Sequence, residues 1–260
     1  MNRLVACFIV FVCSAFALAA PAEPKVEQLA KVRADLASPT VDVRRAAMKK
    51  LIHSDLSDHL VPEIQSGLKD ADGEVRSTAA TAVGNLGTKA ESAIPLLVAQ
   101  LGKDEFKEAR ETAARALGRI GKAVPTNRDP VKPLKQAAAE DADPVTRTVA
   151  LGALAMMDED LPGQVAALRK YLHHEEPMVR MKASHALGMI GAPAKIAAPE
   201  IVEVLTKEPD GHRRGYIARA LGNTSDPNSL PALEKALKAE TDTAAQGEMR
   251  SAIKKLGGKP

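Results

Sequence analysis

The chain has 260 residues and a formal net charge of +3, from 36 Lys and Arg against 33 Asp and Glu. So even a balance leaves no electrostatic footprint for nucleic acid or an anionic bilayer. Trp is absent, aromatic residues make up 2%, and the two cysteines, Cys7 and Cys13, both lie near the start; the rest of the chain therefore has no disulfide framework and no thiolate metal site.

Met1-Asn2-Arg3 is a short positive start, and Leu4 to Ala20 is an apolar run broken only by Ser14. Its end, Ala17-Leu18-Ala19, carries the small residues that signal peptidase reads, so a secretory signal over 1–19 is expected, with a cut after Ala22 as the nearest alternative. The competing reading is an uncleaved anchor, because the run approaches the length of a membrane span. Cleavage removes Arg3 and both cysteines and leaves residues 20–260, expected in the periplasm or secreted, with no membrane span. What remains is rich in Ala and Leu, whose small side chains suit close-packed helices better than one thick core.

From there one motif recurs. VRRAAMKKLI (43–52), VRSTAATAVGNLG (75–87), ARETAARALGRIG (109–121), TRTVALGALAMM (146–157), VRMKASHALGMIG (179–191), RRGYIARALGNTS (213–225) and EMRSAIKKLGG (248–258) align without gaps. The anchor position holds Arg44, Arg76, Arg110, Arg147, Arg180 and Arg214, then Met249 in the last copy, at spacings of 32, 34, 37, 33, 34 and 35 residues. Such a period holds two helices and two turns. Three and seven residues past the anchor come an Ala (Ile217 in one copy) and a Leu or Val, which share one helical face. Gly84, Gly118, Gly188, Gly222 and Gly257 follow the Leu or Val directly, and Gly87, Gly121 and Gly191 read as helix stops.

Before each copy the apolar pattern predicts another helix, often with Pro in its first turn: Pro62, Pro95, Pro199 and Pro231, each followed six residues on by Leu. Pro133 is followed by Ala139 instead, and Pro162 falls outside this register. An acidic link joins the two helices. Asp72, Asp143, Glu176 and Asp210, four residues before an anchor, are expected to cap the incoming helix and to pair with the Arg of their own or a neighbouring repeat. The recurrent Arg is thus expected to be a structural ladder between repeats, an anion-binding stripe being the competing reading.

The recurring Asp/Glu, Val-Arg, Ala and Ala-Leu-Gly, with Pro in the preceding helix, resemble HEAT repeats, and most closely the variety named after phycobiliprotein lyases. The resemblance covers roughly residues 25–258. It implies an all-α, right-handed solenoid of about seven helical hairpins, an armadillo-like superhelix with its second helices on the concave side. Such repeats occur in scaffolds, transport factors, chromophore lyases and a family of metal-dependent hydroxylases.

The residues themselves offer little chemistry. The hydroxylases use repeated His-Glu pairs, and only His174-Glu175 forms one here. No GxSxG, P-loop, GxGxxG or HExxH pattern occurs. A non-enzymatic scaffold or adaptor without cofactor or metal is expected, with a lyase or chaperone that loads a pigment or cofactor onto a partner as the alternative. Five residues past each anchor lie Lys49, Thr81, Arg115, Gly152, His185, Arg219 and Lys254. Four further on in the middle copies lie Asn85, Arg119, Met156, Met189 and Asn223. Lys49, Arg115, Arg119, His185, Arg219 and Lys254 make this lane a candidate groove for another extracytoplasmic protein with an acidic surface, bound by a monomer. An ordinary solvated helix face is the competing reading.

Overall fold

The computed structural model describes residues 26–259; the expected signal segment, with Cys7 and Cys13, lies outside the described residues. The helices come in seven pairs: α1 (Val26–Leu36) with α2 (Val41–Leu51), α3 (Val61–Gly67) with α4 (Gly73–Asn85), α5 (Ile94–Lys103) with α6 (Lys107–Ala123), α7 (Val131–Glu140) with α8 (Pro144–Met156), α9 (Leu161–Tyr171) with α10 (Pro177–Ile190), α11 (Ala198–Lys207) with α12 (Gly211–Asn223), and α13 (Leu230–Ala239) with α14 (Thr243–Lys255). There is no strand among the described residues. None of these helices is long and apolar enough to cross a membrane.

Local chemistry starts the second helices. Asp72, Asp143, Asp210 and Asp242 each accept the backbone N–H three residues on, at 2.8–3.1 Å, and so satisfy one of the free donors of the first turn. Glu176, expected in the same role, makes no such bond. The offset-three residues Ala47, Ala79, Ala113, Ala150, Ala183 and Ile217 are all buried, and so are the offset-seven residues Leu51, Val83, Leu117, Leu154, Leu187 and Leu221. The apolar stripe is therefore the packed face.

Two details of the sequence register need correction, and one expectation holds: Pro162 sits in the first turn of α9 but stands 18 residues before Arg180, where Pro62, Pro95 and Pro199 stand 14 or 15 before their anchors, so it lies outside their register. Gly121 is no helix stop: α6 continues to Ala123, and a side chain at Gly121 would strike Met157. In the last repeat the anchor slot belongs to Gln246, not Met249. Gln246 lies four residues after the capping Asp242, and its Nε2 donates to the Glu240 carbonyl six residues upstream at 2.7 Å, as the anchor arginines do in their own links. Met249 and Ile253 then fall on the buried offsets three and seven.

The second helices pack against one another along their length, whereas the first helices barely touch each other. Glycine sets the inner spacing: a Cβ on Gly118 would lie 2.7 Å from the Ala153 Cα, and one on Gly188 2.6 Å from the Ala220 Cα. Helix backbones that close leave no room for a methyl group. The first helices splay instead, opening clefts such as that between Pro95, Val98 and Lys103 on α5 and Pro133 and Gln136 on α7. The tightly packed layer of second helices is thus the concave side. Two apolar clusters make the core, one from Met48 to Met157 and one from Leu151 to Ile253, and they meet at α8.

Candidate partner-binding face

The anchor arginines are placed at the repeat junctions, outside the concave lane. Arg44, Arg76, Arg110 and Arg214 each send Nη1 to carbonyls of their own link. Their Nε and Nη2 form a fork onto Asp70, Asp104, Asp141 and Glu240, at 2.6–3.0 Å. Each acceptor stands six residues before the next anchor, not four; the carboxylate at minus four is the helix cap, and Asp72 pairs with Arg45 instead. Bidentate pairing holds Glu240 down to about 2, through its hydrogen bond with Arg214 against the penalty of burial.

Two rungs differ. The acceptor slot facing Arg147 holds His174, whose Nδ1 takes the Glu176 N–H at 3.1 Å just as the carboxylates take theirs. Arg147 Nε is buried without a partner among the described residues. Arg180 keeps the His174 and Glu175 carbonyls at 2.8 and 2.7 Å, but Glu208 in its acceptor slot is taken by Arg213 Nε at 2.8 Å. Among the described residues the ladder is therefore closed at both ends and open in the middle.

On the concave side, Arg115, Gly152, His185 and Arg219 hold the same place on α6, α8, α10 and α12. Arg115 pairs with Glu111 one turn back, and Arg119 donates to Asn85 on α4. Arg219 lies over the Tyr216 ring at 4.7 Å and within 3.5 Å of Glu248. Lys182 on α10 reaches across α8 to Glu111 on α6 at 2.7 Å, a bridge over two repeats that the missing side chain at Gly152 leaves open. Lys49 is exposed near one end of the lane and Lys254 near the other. With the corrected register Lys255 takes the lane at the far end, where its Nζ meets Asn223 at 2.8 Å.

Sequence reasoning missed Lys182, Glu111 and Tyr216 because it followed only offsets five and nine, and these lie one or two residues past their anchors. The Glu111–Arg115 spacing of one helical turn was a visible signal for part of this.

The centre is electropositive. Burial foremost, then Arg219, Arg115, Lys182 and Arg119, push the His185 pKa down to about 4, so its imidazole is neutral at physiological pH. Burial and Arg115 likewise lower that of Arg119. Beside the cations, Val149, Met156 and Met189 line the same notch, with Gly152, Ala153 and Ala186 as its floor. Among the described residues no three His, Cys, Asp or Glu side chains converge as metal ligands would.

A family model described as HEAT repeats matches residues 26–118, 61–155 and 131–215, and one described as PBS lyase HEAT-like repeat matches 213–239. Among solved structures the chain is similar to the complex of CpcE and CpcF of phycocyanin lyase from Nostoc sp. PCC7120: 21% identity, 92% of this chain and 98% of that one, TM-score 0.57. It is also similar to Kap121p bound to Nup53p, at 16% identity over 88% of this chain but only 29% of that one, TM-score 0.51. Human deoxyhypusine hydroxylase in complex with glycerol matches at 17% identity over 89% and 96% of the two chains, TM-score 0.41. No curated protein matches.

Proposed function

Since this chain belongs to the HEAT-repeat family, its model covering most of the sequence, we propose that it is an exported, non-enzymatic scaffold that holds another extracytoplasmic protein by an acidic surface on its concave face. One observation carries the reading. Arg115, Arg119, Lys182 and Arg219 gather around a half-buried, neutral His185, with Glu111 as the inner counter-charge. A fold gains little from crowding cations that depress a neighbour's pKa; a surface that receives carboxylates gains on-rate and specificity from it. Export rests on the signal pattern of residues 1–19. The likeness to a phycocyanin lyase concerns the fold alone, and this chain offers no thiol beyond the signal segment to hold a pigment.

Photo-crosslinking in the native envelope tests this. A photoreactive residue at Thr81 or Lys255 on the concave side should yield a discrete adduct that one at Lys69 or Lys103 on the first-helix side does not. Adducts only from the first-helix side would overturn the assignment. An N-terminus of the recovered protein at Met1 would overturn cleaved export.

A further inference from the structure

We propose that the element this face recognises is a linear segment in which a carboxylate lies close to an apolar side chain, the carboxylate taken by Arg115 and Lys182 and the apolar group by Met156 and Met189. The inference rests on the reading of the concave face as the binding face, and goes beyond it by naming the chemistry of the occupant.

The two chemistries share one notch. Arg115, Lys182 and His185 line it together with Met156 and Met189. Where neighbouring inner helices present Arg115, His185 and Arg219, α8 presents Gly152, and the missing side chain is what makes the notch. Beyond the methionines it opens into a cleft of about 710 Å³ lined by Pro125, Met157, Ile190 and Pro193 among others. Met189 is 45% exposed and, with Val149 and Met156, gives the notch its apolar surface. Thioethers adapt to varied apolar shapes, as suits an anchor pocket.

The carboxylate half already has an internal stand-in. Glu111 accepts from Arg115 and from Lys182 together, so these two cations from different repeats are spaced to share one carboxylate. An incoming carboxylate would take over this pair, and Glu111 competes with it. A soft metal ion on Met156, Met189 and His185 is the obvious rival, since thioether and imidazole donors suit such ions. The cations around His185, namely Arg219, Arg115, Lys182 and Arg119, repel a further cation at that point and attract an anion.

The test pans a random-peptide phage library on the full mature chain, then measures synthetic copies of the enriched peptides by fluorescence anisotropy. Peptides pairing Asp or Glu with a nearby Leu, Ile, Met or Phe should emerge. The double variant Met156→Ser, Met189→Ser should weaken them roughly tenfold, equal to about 1.4 kcal/mol. Glu111→Gln should tighten them, because it removes the competing carboxylate; a loss of affinity in this variant would overturn the stand-in argument. Acidic peptides indifferent to the methionine variants would overturn the proposed occupant while leaving the concave face as the binding face. Peptides unaffected by Arg115→Glu with Arg219→Glu, peptides that are basic, or no enrichment at all would overturn both.

Discussion

Arg110 shows what the ladder contributes to stability. Its fork reaches Asp141 at 2.9 and 3.0 Å, and Nη1 reaches the Asp104 carbonyl at 3.0 Å. The two charged side chains are 15% and 6% exposed. In Arg110→Ala, Asp141 keeps only the Asp143 N–H, at 2.9 Å. Breaking a buried pair on one side costs about 3–5 kcal/mol, and the residual exposure here reduces that to about 2–3 kcal/mol. For a chain of this length that lowers Tm by roughly 5–10 °C. Arg110→Lys should recover only part, because an ammonium lacks the fork. Arg147→Ala is the matched control: it removes an anchor with no carboxylate partner and should cost less than about 1 kcal/mol. Urea unfolding followed by circular dichroism measures all three. Equal losses for Arg110→Ala and Arg147→Ala, or none for either, would refute the claim that the forked carboxylate carries the energy.

His174→Asp places a carboxylate where Asp70, Asp104 and Asp141 stand in their own links, and should close the rung with Arg147; a raised urea midpoint checks this, and a lowered one counts against the rung geometry. His185 titrates at about 4 when folded and about 6.5 when unfolded, so the unfolded chain binds more protons between these values. Stability is therefore full above about pH 6.5 and lost as pH falls towards 4, by at most about 1.4 kcal/mol per unit. Urea midpoints at pH 7 and pH 5 should differ less in His185→Gln than in the wild type, a window in which Glu240, held to about 2, does not yet titrate. Deleting residues 229–260 exposes one face of the sixth repeat but should leave repeats two to five helical, because each hairpin packs on its neighbours; complete loss of helical circular dichroism would instead show a single cooperative core.

Much of this architecture was legible because it repeats. Offsets three and seven named the buried residues from Ala47 to Leu221, and the acidic links located the turns. The ladder was read two residues out: Asp70, Asp104, Asp141 and Glu208 stand at a constant six before the next anchor, but the carboxylates at minus four drew attention first, since they also cap helices. Met249 as an anchor was a warning in itself, an apolar residue in a slot that makes hydrogen bonds; the cap Asp242 points to Gln246. The pairing of Lys182 with Glu111 had no local signal. It depends on the curvature of the inner layer and on the empty place at Gly152, which no spacing within one repeat encodes.

The central claim is that the concave second-helix lane is the face that binds. The direct measurement is the Kd of the crosslinked partner for three purified forms: wild type, Arg115→Glu with Arg219→Glu, and Lys69→Glu with Lys103→Glu. Both pairs reverse the same amount of charge, and neither pair belongs to the buried stripe. The groove pair should weaken binding at least tenfold, about 1.4 kcal/mol, while staying folded with a lowered Tm because Arg115 and Arg219 lose Glu111 and Tyr216, and the first-helix pair should bind near wild type. Loss of binding in the first-helix pair, with the groove pair unaffected, would contradict the account and move the interface to the convex side.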